Sequence, residues 1–484
     1  MSVLTEFLHE YWPHLAALLS LAFSLVVAAQ AAMQKNDVRA AIAWVGVILM
    51  SPFVGAFLYL VAGINRIRHD QMSTQRSRLI KDYVNSAYPT FGDVGPVSGP
   101  QFASLRVLCD QISRFPLQGG NHVVLLDGGD QAYPAMLQAI DEARHCIALQ
   151  SYIFDHDRIG LRFADALRQA QERGVEIRVL IDAVGARYSH PPILRLLERN
   201  GIRADRFMTN PLGLRSAYAN LRSHRKILFV DGHLGFMGGM NIRESFMESL
   251  AGKRADRDTH FRIEGPLATQ LFAVFANDWE FATGERLRIE DWVRVSPLAP
   301  QPRVPARCIR SGPDRFMAAT HRVLLGALAV AQRHVRIQSP YFLPDQVLIG
   351  ALNTAARRGI QVDIVIPGRN NLRLVNYAMT AQLAQVLEGG CCVWRCRKNF
   401  DHSKLLTIDD AWSYVGSSNL DPRSLRLNFE LDMEVYDRAL AEQLSQRIDA
   451  DIEQSERVTL ESLNAMPYLK RLRNRIIWLA SPYL

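Results

Sequence analysis

Cysteine is scarce in this sequence, and its distribution argues against two classes of protein. Six cysteines occur in 484 residues, too few and too scattered for the disulfide framework of a small secreted protein. Three of them lie in CCVWRC, upstream of His402, but their spacing matches no standard zinc-ligand set and the stretch is typical of a buried strand. We therefore expect no metal site among Cys109, Cys146, Cys308, Cys391, Cys392 and Cys396.

Acidic residues are in short supply relative to basic ones. The sequence has 48 Asp and Glu against 56 Lys and Arg, a net charge of +8. A basic protein tends to meet phosphates, either in nucleic acid or on an anionic membrane. No stretch interleaves aromatic and basic residues for stacking bases, so a nucleic-acid partner is not expected. With 48% hydrophobic residues the chain can bury a large core.

Long apolar runs, by contrast, are present near the N-terminus. Residues 14–33 are almost wholly apolar, and residues 40–63 carry no charge. Each run is long enough to cross the roughly 30 Å hydrocarbon core of a bilayer as a helix. Glu6 and Glu10 stand where a cleaved signal peptide would have basic residues, which argues against that alternative. The sequence predicts a transmembrane hairpin within residues 1–70, with helices at 14–33 and 40–63.

The basic residues that flank these runs predict the orientation of the hairpin. The loop between the runs allows only a tight turn, so both outer ends lie on one side of the membrane. More Lys and Arg follow the second run than lie in the loop, and such residues favour the cytoplasmic side. We therefore expect a multi-pass protein with a cytoplasmic C-terminal part. The residues compared are Arg66, Arg68, Arg76, Arg78 and Lys81 after the second run, and Lys35 and Arg39 in the loop.

The rest of the chain contains two copies of one pattern. LQSYIFDHDRIG, from Leu149, is echoed by IQSPYFLPDQVL, from Ile337, and RGVEIRVLID, from Arg173, is echoed by RGIQVDIVIP, from Arg358. In each copy an apolar strand, a helical stretch that stops at a glycine and another apolar strand follow one another, which favours an α/β unit. The predicted fold is two similar α/β domains packed as a pseudo-twofold internal dimer.

Composition predicts the boundaries of these domains. A connecting region covers 71–120, the first domain 121–296 and the second domain 307–484, which ends in an amphipathic helix. Four prolines within 297–306 predict a linker, because proline interrupts helices and central strands.

A polar motif is also duplicated. Its residues are His224, Lys226 and Asp231 in the first copy and His402, Lys404 and Asp409 in the second. Small residues and an asparagine follow, namely Gly238, Gly239 and Asn241 in the first copy and Gly416, Ser417, Ser418 and Asn419 in the second. Because alternate residues of a strand share a face, we expect the histidine and lysine of each copy to project together.

Two copies of this motif supply chemistry that one copy could not. Around one cleft they place two imidazoles, two ammonium groups and two amides, which suits displacement at an anionic phosphodiester. One neutral imidazole attacks phosphorus, while the other protonates the leaving oxygen and then deprotonates the incoming hydroxyl. The lysines and asparagines hold the charge on the equatorial oxygens, so neither a metal nor a cofactor is needed.

The duplicated motif resembles that of the phospholipase D superfamily, and the resemblance covers about residues 120–450. The first copy departs from the family pattern, because it reads Gly-Gly at Gly238 and Gly239 where the pattern has Gly-Ser, and a hydroxyl is missing there. Within the superfamily, the stretches HRKILFVDGHLGFMGGMNI, RDTHFRIEGP, SPYFLPD and SSNLDPRSLRLNFE are similar to bacterial cardiolipin synthases of the membrane-anchored type.

The resemblance implies a phosphatidyl transfer in the bacterial cytoplasmic (inner) membrane. Two phosphatidylglycerols would give cardiolipin and glycerol through a phosphatidyl-histidine intermediate. Motif order in the superfamily implies that His224 is the nucleophile and His402 the general acid and base, roles that the sequence alone does not distinguish. The oligomeric state stays open.

The acidic residues of the pattern are expected to support the histidines. Asp231 and Asp409 are expected to act structurally rather than on phosphate. In the family an acidic residue downstream of each asparagine orients a histidine, and Glu430 and Asp258 fit these places, the alternative being a solvated or ion-paired acid.

Several alternatives stay open at this point. A phospholipase D-type hydrolase, a membrane-anchored phosphodiesterase or nuclease, and an inactive lipid-binding scaffold share many of these features, although two intact motifs argue against the scaffold. The C-terminal helix suits either an anionic membrane surface or the second domain. Arg423 and Arg426, after the second motif, suit either a second lipid phosphate or a structural ion pair.

Overall fold

The computed structural model describes residues 2–35, 37–63, 90–208, 221–293, 304–314 and 316–481. The chain divides into two units, Met1–Arg68 and His69–Leu484. The basic cluster used to predict orientation, residues 71–89 of the connecting region and residues 297–303 of the linker lie outside the described residues.

The N-terminal unit begins with a long apolar helix. Helix α1 spans Ser2–Gln34, and its segment Tyr11–Gln34 has 24 residues with a mean hydropathy of 2.1. The first predicted run is therefore helical and long enough to cross a membrane. Among the described residues it is the one helix that meets this requirement.

The second predicted helix, at 40–63, is wrong as a continuous element. The chain forms α2 (Val38–Met50), α3 (Pro52–Leu58) and a π-helical turn (Tyr59–Gly63). Pro52 has no N–H to donate and disfavours a helical residue before it, so Ser51 adopts φ −138° and ψ 77°. At about 1.5 Å per residue, α2 alone covers only about 20 Å of a bilayer core of roughly 30 Å.

The C-terminal unit is built on one twisted sheet. Its first strands are β1 (Gln118–Asp127), β2 (Cys146–Ser151), β3 (Glu176–Asp182), β4 (Ala204–Phe207), β5 (Arg222–Ser223), β6 (Ile227–Val230), β7 (Leu234–Gly238) and β8 (Thr259–Glu264). The others are β9 (Val304–Ser311), β10 (His334–Gln338), β11 (Gln361–Pro367), β12 (Cys392–Cys396), β13 (Leu405–Ile408), β14 (Trp412–Gly416), β15 (Asn428–Val435) and β16 (Ser455–Val458).

The strand order has an internal repeat. It runs β16-β12-β11-β10-β13-β14-β15-β9-β1-β8-β7-β6-β2-β3-β4, with the short β5 paired to β15. Reading outward from the β9–β1 pair, β15, β14, β13, β10, β11 and β12 of one half correspond to β8, β7, β6, β2, β3 and β4 of the other. The pairs β2–β3, β3–β4, β10–β11 and β11–β12 are parallel, as expected for strand–helix–strand units. The predicted pseudo-twofold α/β fold is confirmed.

Helices cover both halves of the sheet. They are α4 (Gly95–Ser98), α5 (Phe102–Ile112), α6 (Gly129–Glu142), α7 (Arg158–Glu172), α8 (Ile193–Arg199), α9 (Glu248–Ala251), α10 (Pro266–Thr283) and α11 (Ile289–Trp292). The second half adds α12 (Ala319–Val330), α13 (Gln346–Arg357), α14 (Arg373–Leu387), α15 (Pro422–Arg426), α16 (Arg438–Ile452), α17 (Leu460–Asn464) and α18 (Tyr468–Leu479). Gly174 (φ 86°) and Gly359 (φ 87°) follow α7 and α13 in left-handed conformations, as the sequence indicated.

Two segments that were predicted to be connectors contribute secondary structure to the fold. Helix α5, within the predicted connecting region, packs its buried side chains into the core of the second half, against α12. Residues 304–306 of the predicted linker form the start of β9. Pro305 is tolerated there because the β1–β9 pairing is irregular at this point and its carbonyl accepts the N–H of Tyr436 (3.0 Å).

The C-terminal helix α18 packs on the second half, and its contact with a lipid surface stays a prediction. One side packs on α14, with Asn474 buried and the Arg473 guanidinium 3.7 Å from the centre of the Tyr377 ring. The other side exposes apolar residues, including Leu469 (76% exposed) and Leu479 (72% exposed). A helix with this pattern leaves an apolar face beside basic residues open to a lipid surface.

Candidate active site

The two motif histidines face each other although they are far apart in sequence. The ring centroids of His224 and His402 are 6.2 Å apart, and the rings are nearly perpendicular at 81°. The backbone of each histidine is hydrogen-bonded to the other half of the sheet. The backbone N–H of His224 donates to the carbonyl of Phe429 (2.9 Å), and the backbone N–H of His402 donates to that of Arg257 (2.7 Å). The duplicated motif therefore forms one site rather than two.

The histidine and lysine of each copy lie just before a strand. β6 begins at Ile227 and β13 at Leu405, so the motif strand starts later than the sequence suggested. The Lys226 ammonium donates to the His224 carbonyl (2.5 Å), and the Lys404 ammonium donates to the His402 carbonyl. In the second copy the Lys404 ammonium also lies 2.9 Å from His402 Nδ1, so these two side chains project together.

A carboxylate orients each histidine, and the pairs are crossed between the halves. Glu430, of the second half, lies 2.9 Å from His224 Nδ1, and Asp258, of the first half, lies 2.9 Å from His402 Nδ1. An ionised carboxylate accepts the Nδ1 proton, which leaves Nε2 of each ring available for chemistry. Neither histidine would have its carboxylate without the other half.

Burial sets the charge state of these groups. It lowers the pKa of both His224 and His402 from the usual value, so both imidazoles are neutral near pH 7 in the empty site. Burial also lowers the pKa of Lys226 to about 7 and that of Lys404 to about 8. A bound anion would favour the charged form of all four groups.

The two motif asparagines lie on the wall of the same cavity. The Asn241 side-chain oxygen accepts the N–H of Ile153 (3.1 Å), which leaves its amide donors for a ligand. The Asn419 amide nitrogen lies 3.3 Å from the Ser424 hydroxyl. Both side chains are buried beside the histidines.

The small residues before the asparagines serve packing. A Cβ on Gly239 would come within 2.4 Å of an Asp258 oxygen, so the missing hydroxyl of the first copy makes room for that carboxylate. In the second copy Ser417 fills this place and donates to Glu430 (2.6 Å). Ser418 instead donates to Asp432. Gly238 and Gly416, both at φ 159°, lie against the backbones of β8 and β15, where a Cβ would not fit.

The motif aspartates do not line the cavity. Asp231 accepts the backbone N–H groups of Arg144, His145 and Cys146 at 2.8–3.0 Å. Asp409 accepts those of Gln332, Arg333 and His334 at 2.7–2.9 Å. Both adopt left-handed backbone conformations, φ 51° and φ 55°. Each aspartate therefore ties its motif strand to the start of the neighbouring antiparallel strand, β2 or β10.

The cavity also includes residues outside the duplicated motif. It encloses about 290 Å³ around the two histidines. Tyr152 packs edge-on against His224 at 5.5 Å, and Tyr341 and Phe400 pack against His402 at 6.0 and 5.9 Å. The repeated LQSYIFD and IQSPYFLPD stretches already held the two tyrosines. The remaining charged side chains on its wall are Arg222, Arg243, Arg423, Asp256 and Asp421.

The chain matches two known sequence families. Residues 136–279 and 324–452 match the family described as "Cardiolipin synthase, PLD-like domain", and residues 17–63 match "Phospholipase_D-nuclease N-terminal". Within the described ranges no group of three or more histidine, cysteine or acidic side chains is arranged to hold a metal ion.

Similar proteins cover nearly the whole chain. Cardiolipin synthase A of Pseudomonas entomophila is 30% identical over 469 residues, 95% of this chain and 96% of its own length. Cardiolipin synthase of Geobacillus kaustophilus is 28% identical, over 95% of this chain and 92% of its own. The crystal structure of phosphatidylserine synthase from Haemophilus influenzae is 16% identical and covers 79% of this chain and 100% of its own, with a TM-score of 0.60, a likeness of fold. The chain belongs to the cardiolipin synthase family of phospholipase D-like proteins.

Proposed function

We propose that the protein is a cardiolipin synthase, a phosphatidyltransferase that joins two phosphatidylglycerols into cardiolipin and releases glycerol. The observation that carries this proposal is the pair of buried imidazoles 6.2 Å apart, each hydrogen-bonded to a carboxylate of the other half. Family membership over most of the chain supports the lipid substrate.

The first step forms a phosphatidyl-histidine. Nε2 of His224 attacks phosphorus of the donor lipid and forms a P–N bond, while the bond to the glycerol headgroup breaks. His402, protonated in the donor complex, gives its Nε2 proton to the leaving oxygen, so neutral glycerol departs. Burial lowers the pKa of His402 in the empty site, and the negative charge of the bound phosphodiester favours its protonated form.

The second step transfers the phosphatidyl group to the acceptor. A headgroup hydroxyl of another phosphatidylglycerol attacks phosphorus opposite His224, and His402 takes the hydroxyl proton. The P–N bond breaks, cardiolipin leaves and both histidines return to their starting states. Glu430 and Asp258 act as positioning residues that hold the Nδ1 protons throughout.

Four donors stabilise the charge that spreads over phosphorus. The amides of Asn241 and Asn419 lie on the wall of the cavity, and the ammonium groups of Lys226 and Lys404 lie beside their motif histidines. Fixed donors in a buried site stabilise the equatorial oxygens of a phosphoryl transition state. We therefore expect activity in the presence of EDTA.

The membrane placement is also a proposal. The apolar helix segment Tyr11–Gln34 anchors the protein, and the interrupted segment from Val38 to Gly63 returns the chain to the starting side of the bacterial inner membrane. The catalytic unit would then face the cytoplasm. Alkaline phosphatase fused after the C-terminus should be inactive, and fused at Lys35 it should be active; the reverse pattern would contradict this orientation.

The function is tested by product analysis. Detergent-purified full-length protein is incubated with phosphatidylglycerol and EDTA, and lipids are analysed by mass spectrometry beside His224→Ala and His402→Ala. We expect cardiolipin and glycerol from the wild type and neither from the variants. Phosphatidic acid without cardiolipin would indicate a hydrolase, and a requirement for added metal would contradict the two-histidine mechanism.

The roles of the two histidines need a separate test. His402→Ala is incubated with a phosphatidyl ester of p-nitrophenol, whose leaving group needs no acid. If His224 is the nucleophile, this variant accumulates a phosphatidyl adduct on a peptide containing His224. An adduct on His402 in the opposite variant, His224→Ala, would reverse the assignment.

A further inference from the structure

The cavity presents different side chains beside its two histidines, although the fold around it is repeated. Arg222 lies two residues before His224, and the equivalent place before His402 holds Phe400. Arg423 lies four residues after Asn419, at a place where the first half has no basic residue. Burial raises the pKa of the Tyr152 hydroxyl, and the positive charges of the two arginines oppose this rise. Both arginines therefore lie near Tyr152, whose ring packs on His224.

Arg222 is held in this place without a matching carboxylate among the described residues. Its side chain is half-buried and donates to the carbonyl of Leu221 (2.5 Å). Burial lowers its pKa, and the positive charges of Arg423 and Arg187 lower it further. The negative charge of Asp182 raises the pKa of Arg222, but the oxygens of Asp182 already accept backbone N–H groups, including that of Ser223 (2.8 Å).

A third arginine also lies on the wall. Arg243 forms an ion pair with Asp155 (2.6 Å) and is neutralised by it. The wall also carries Asp421, which accepts the N–H of Ser424 (2.7 Å) at the start of α15. The positive charges of Arg222 and Arg423 repel each other in this cavity, and an anion bound beside them would offset that repulsion.

We infer that Arg222 and Arg423 bind the phosphodiester of the acceptor lipid, the phosphate that does not react. This inference rests on the proposed function. The donor loses a neutral glycerol, but the acceptor keeps its own phosphate, so the second step brings two phosphates into one cavity. Only one of them meets the histidines and lysines. Guanidinium groups suit the other, because they donate paired hydrogen bonds to phosphate oxygens.

This subsite would favour binding of a lipid acceptor over glycerol or water. Neutral acceptors gain nothing from the two arginines, whereas phosphatidylglycerol is held with its hydroxyl near phosphorus. The neutral alternative can be measured in the same sample, because deuterated glycerol exchanges into phosphatidylglycerol through the same two steps without a second phosphate.

The experiment compares these two reactions in Arg222→Gln and Arg423→Gln. Full-length protein is given phosphatidylglycerol in mixed micelles with deuterated glycerol, and cardiolipin formation and glycerol exchange are both followed. We expect the ratio of cardiolipin to exchange to fall about tenfold or more, since each variant loses a charged hydrogen bond to the acceptor phosphate. The KM for acceptor lipid should rise, and Arg222→Lys should recover part of the ratio.

Arg426→Gln is the matched control, because Arg426 lies on the same short helix as Arg423 but is exposed and outside the cavity. Its ratio should equal that of the wild type. An unchanged ratio in both Arg222→Gln and Arg423→Gln, or an equal loss of both reactions, would overturn the subsite while leaving the proposed function intact. A wild type that catalyses neither reaction would overturn the proposed function and the subsite with it.

Discussion

Glu430 and His224 belong to opposite halves of the sheet, yet the carboxylate lies 2.9 Å from the imidazole Nδ1. Asp258 and His402 form the pseudo-twofold equivalent of this pair, at the same distance. Each half thus supplies one histidine to the site and the carboxylate that orients the other histidine. The two halves are therefore coupled in function as well as in packing.

Replacement of the Glu430 carboxylate should lower the catalytic rate more than it lowers the stability of the fold. We expect Glu430→Gln to lower kcat by about 10²-fold, because the amide no longer fixes the Nδ1 proton of His224. Asp258→Asn should act alike on His402. Initial rates of cardiolipin formation measure the effect, with the exposed Glu442→Gln as control. Wild-type kcat in Glu430→Gln would contradict the positioning role.

Gly239 should not tolerate the serine that the family pattern has at this position. A Cβ there would lie 2.4 Å from the Asp258 carboxylate, so Gly239→Ser should displace that group from His402. We expect a large loss of activity and a destabilisation of about 1–3 kcal/mol. The reciprocal Ser417→Gly removes two hydrogen bonds, one to Glu430 and one from the Leu431 N–H, but places no new atom against a carboxylate, so it should retain more activity than Gly239→Ser. Thermal unfolding and activity of both variants test this difference, and equal losses of activity would contradict it.

A buried ion pair beneath the site should be important for stability. Both oxygens of Asp278 lie 2.7 Å from the Arg225 guanidinium, and Arg225 also donates to the carbonyl of Glu430 (3.0 Å). Asp278→Asn leaves a buried guanidinium uncompensated, so we expect a loss of about 3–5 kcal/mol and a lower Tm. The exposed Arg288→Gln is the control. An unchanged Tm for Asp278→Asn would show that the pair is dispensable.

The pH profile of kcat/KM should report the buried lysines. Burial lowers the pKa of Lys226 to about 7 and of Lys404 to about 8, and a lysine is charged below its pKa and neutral above it. Since kcat/KM reflects the free enzyme, it should fall as the pH rises through these values. The acid limb should lie below about 6.5, because burial lowers the pKa of His224, which must be neutral to attack phosphorus.

A variant separates this explanation from a change in the lipid. Lys404→Arg keeps its charge at high pH, so any activity that remains should lose the Lys404 part of the alkaline limb. Rates are measured in mixed micelles of fixed composition at each pH. An alkaline limb at the same position in Lys404→Arg would assign it to another group.

Local patterns in the sequence were enough to predict much of this protein. Strand and helix periods repeat along the chain, and a pattern carried by neighbouring residues is visible without coordinates. The same holds for the histidines, lysines and asparagines, because their spacing is duplicated around His224 and His402. It fails for the run 40–63, where apolar composition concealed the break that Pro52 imposes.

Other features depend on contacts between residues that are distant in the chain. The family resemblance implied that Glu430 and Asp258 each orient a histidine, but only the antiparallel pairing of the two half-sheets through β1 and β9 decides that the pairs are crossed. In the same way, Arg222 looks like an ordinary basic residue until folding brings it beside Arg423 in one cavity. The sequence determined which groups are available for chemistry. The tertiary structure decided which of them meet, because strand order and burial join segments that no local pattern relates.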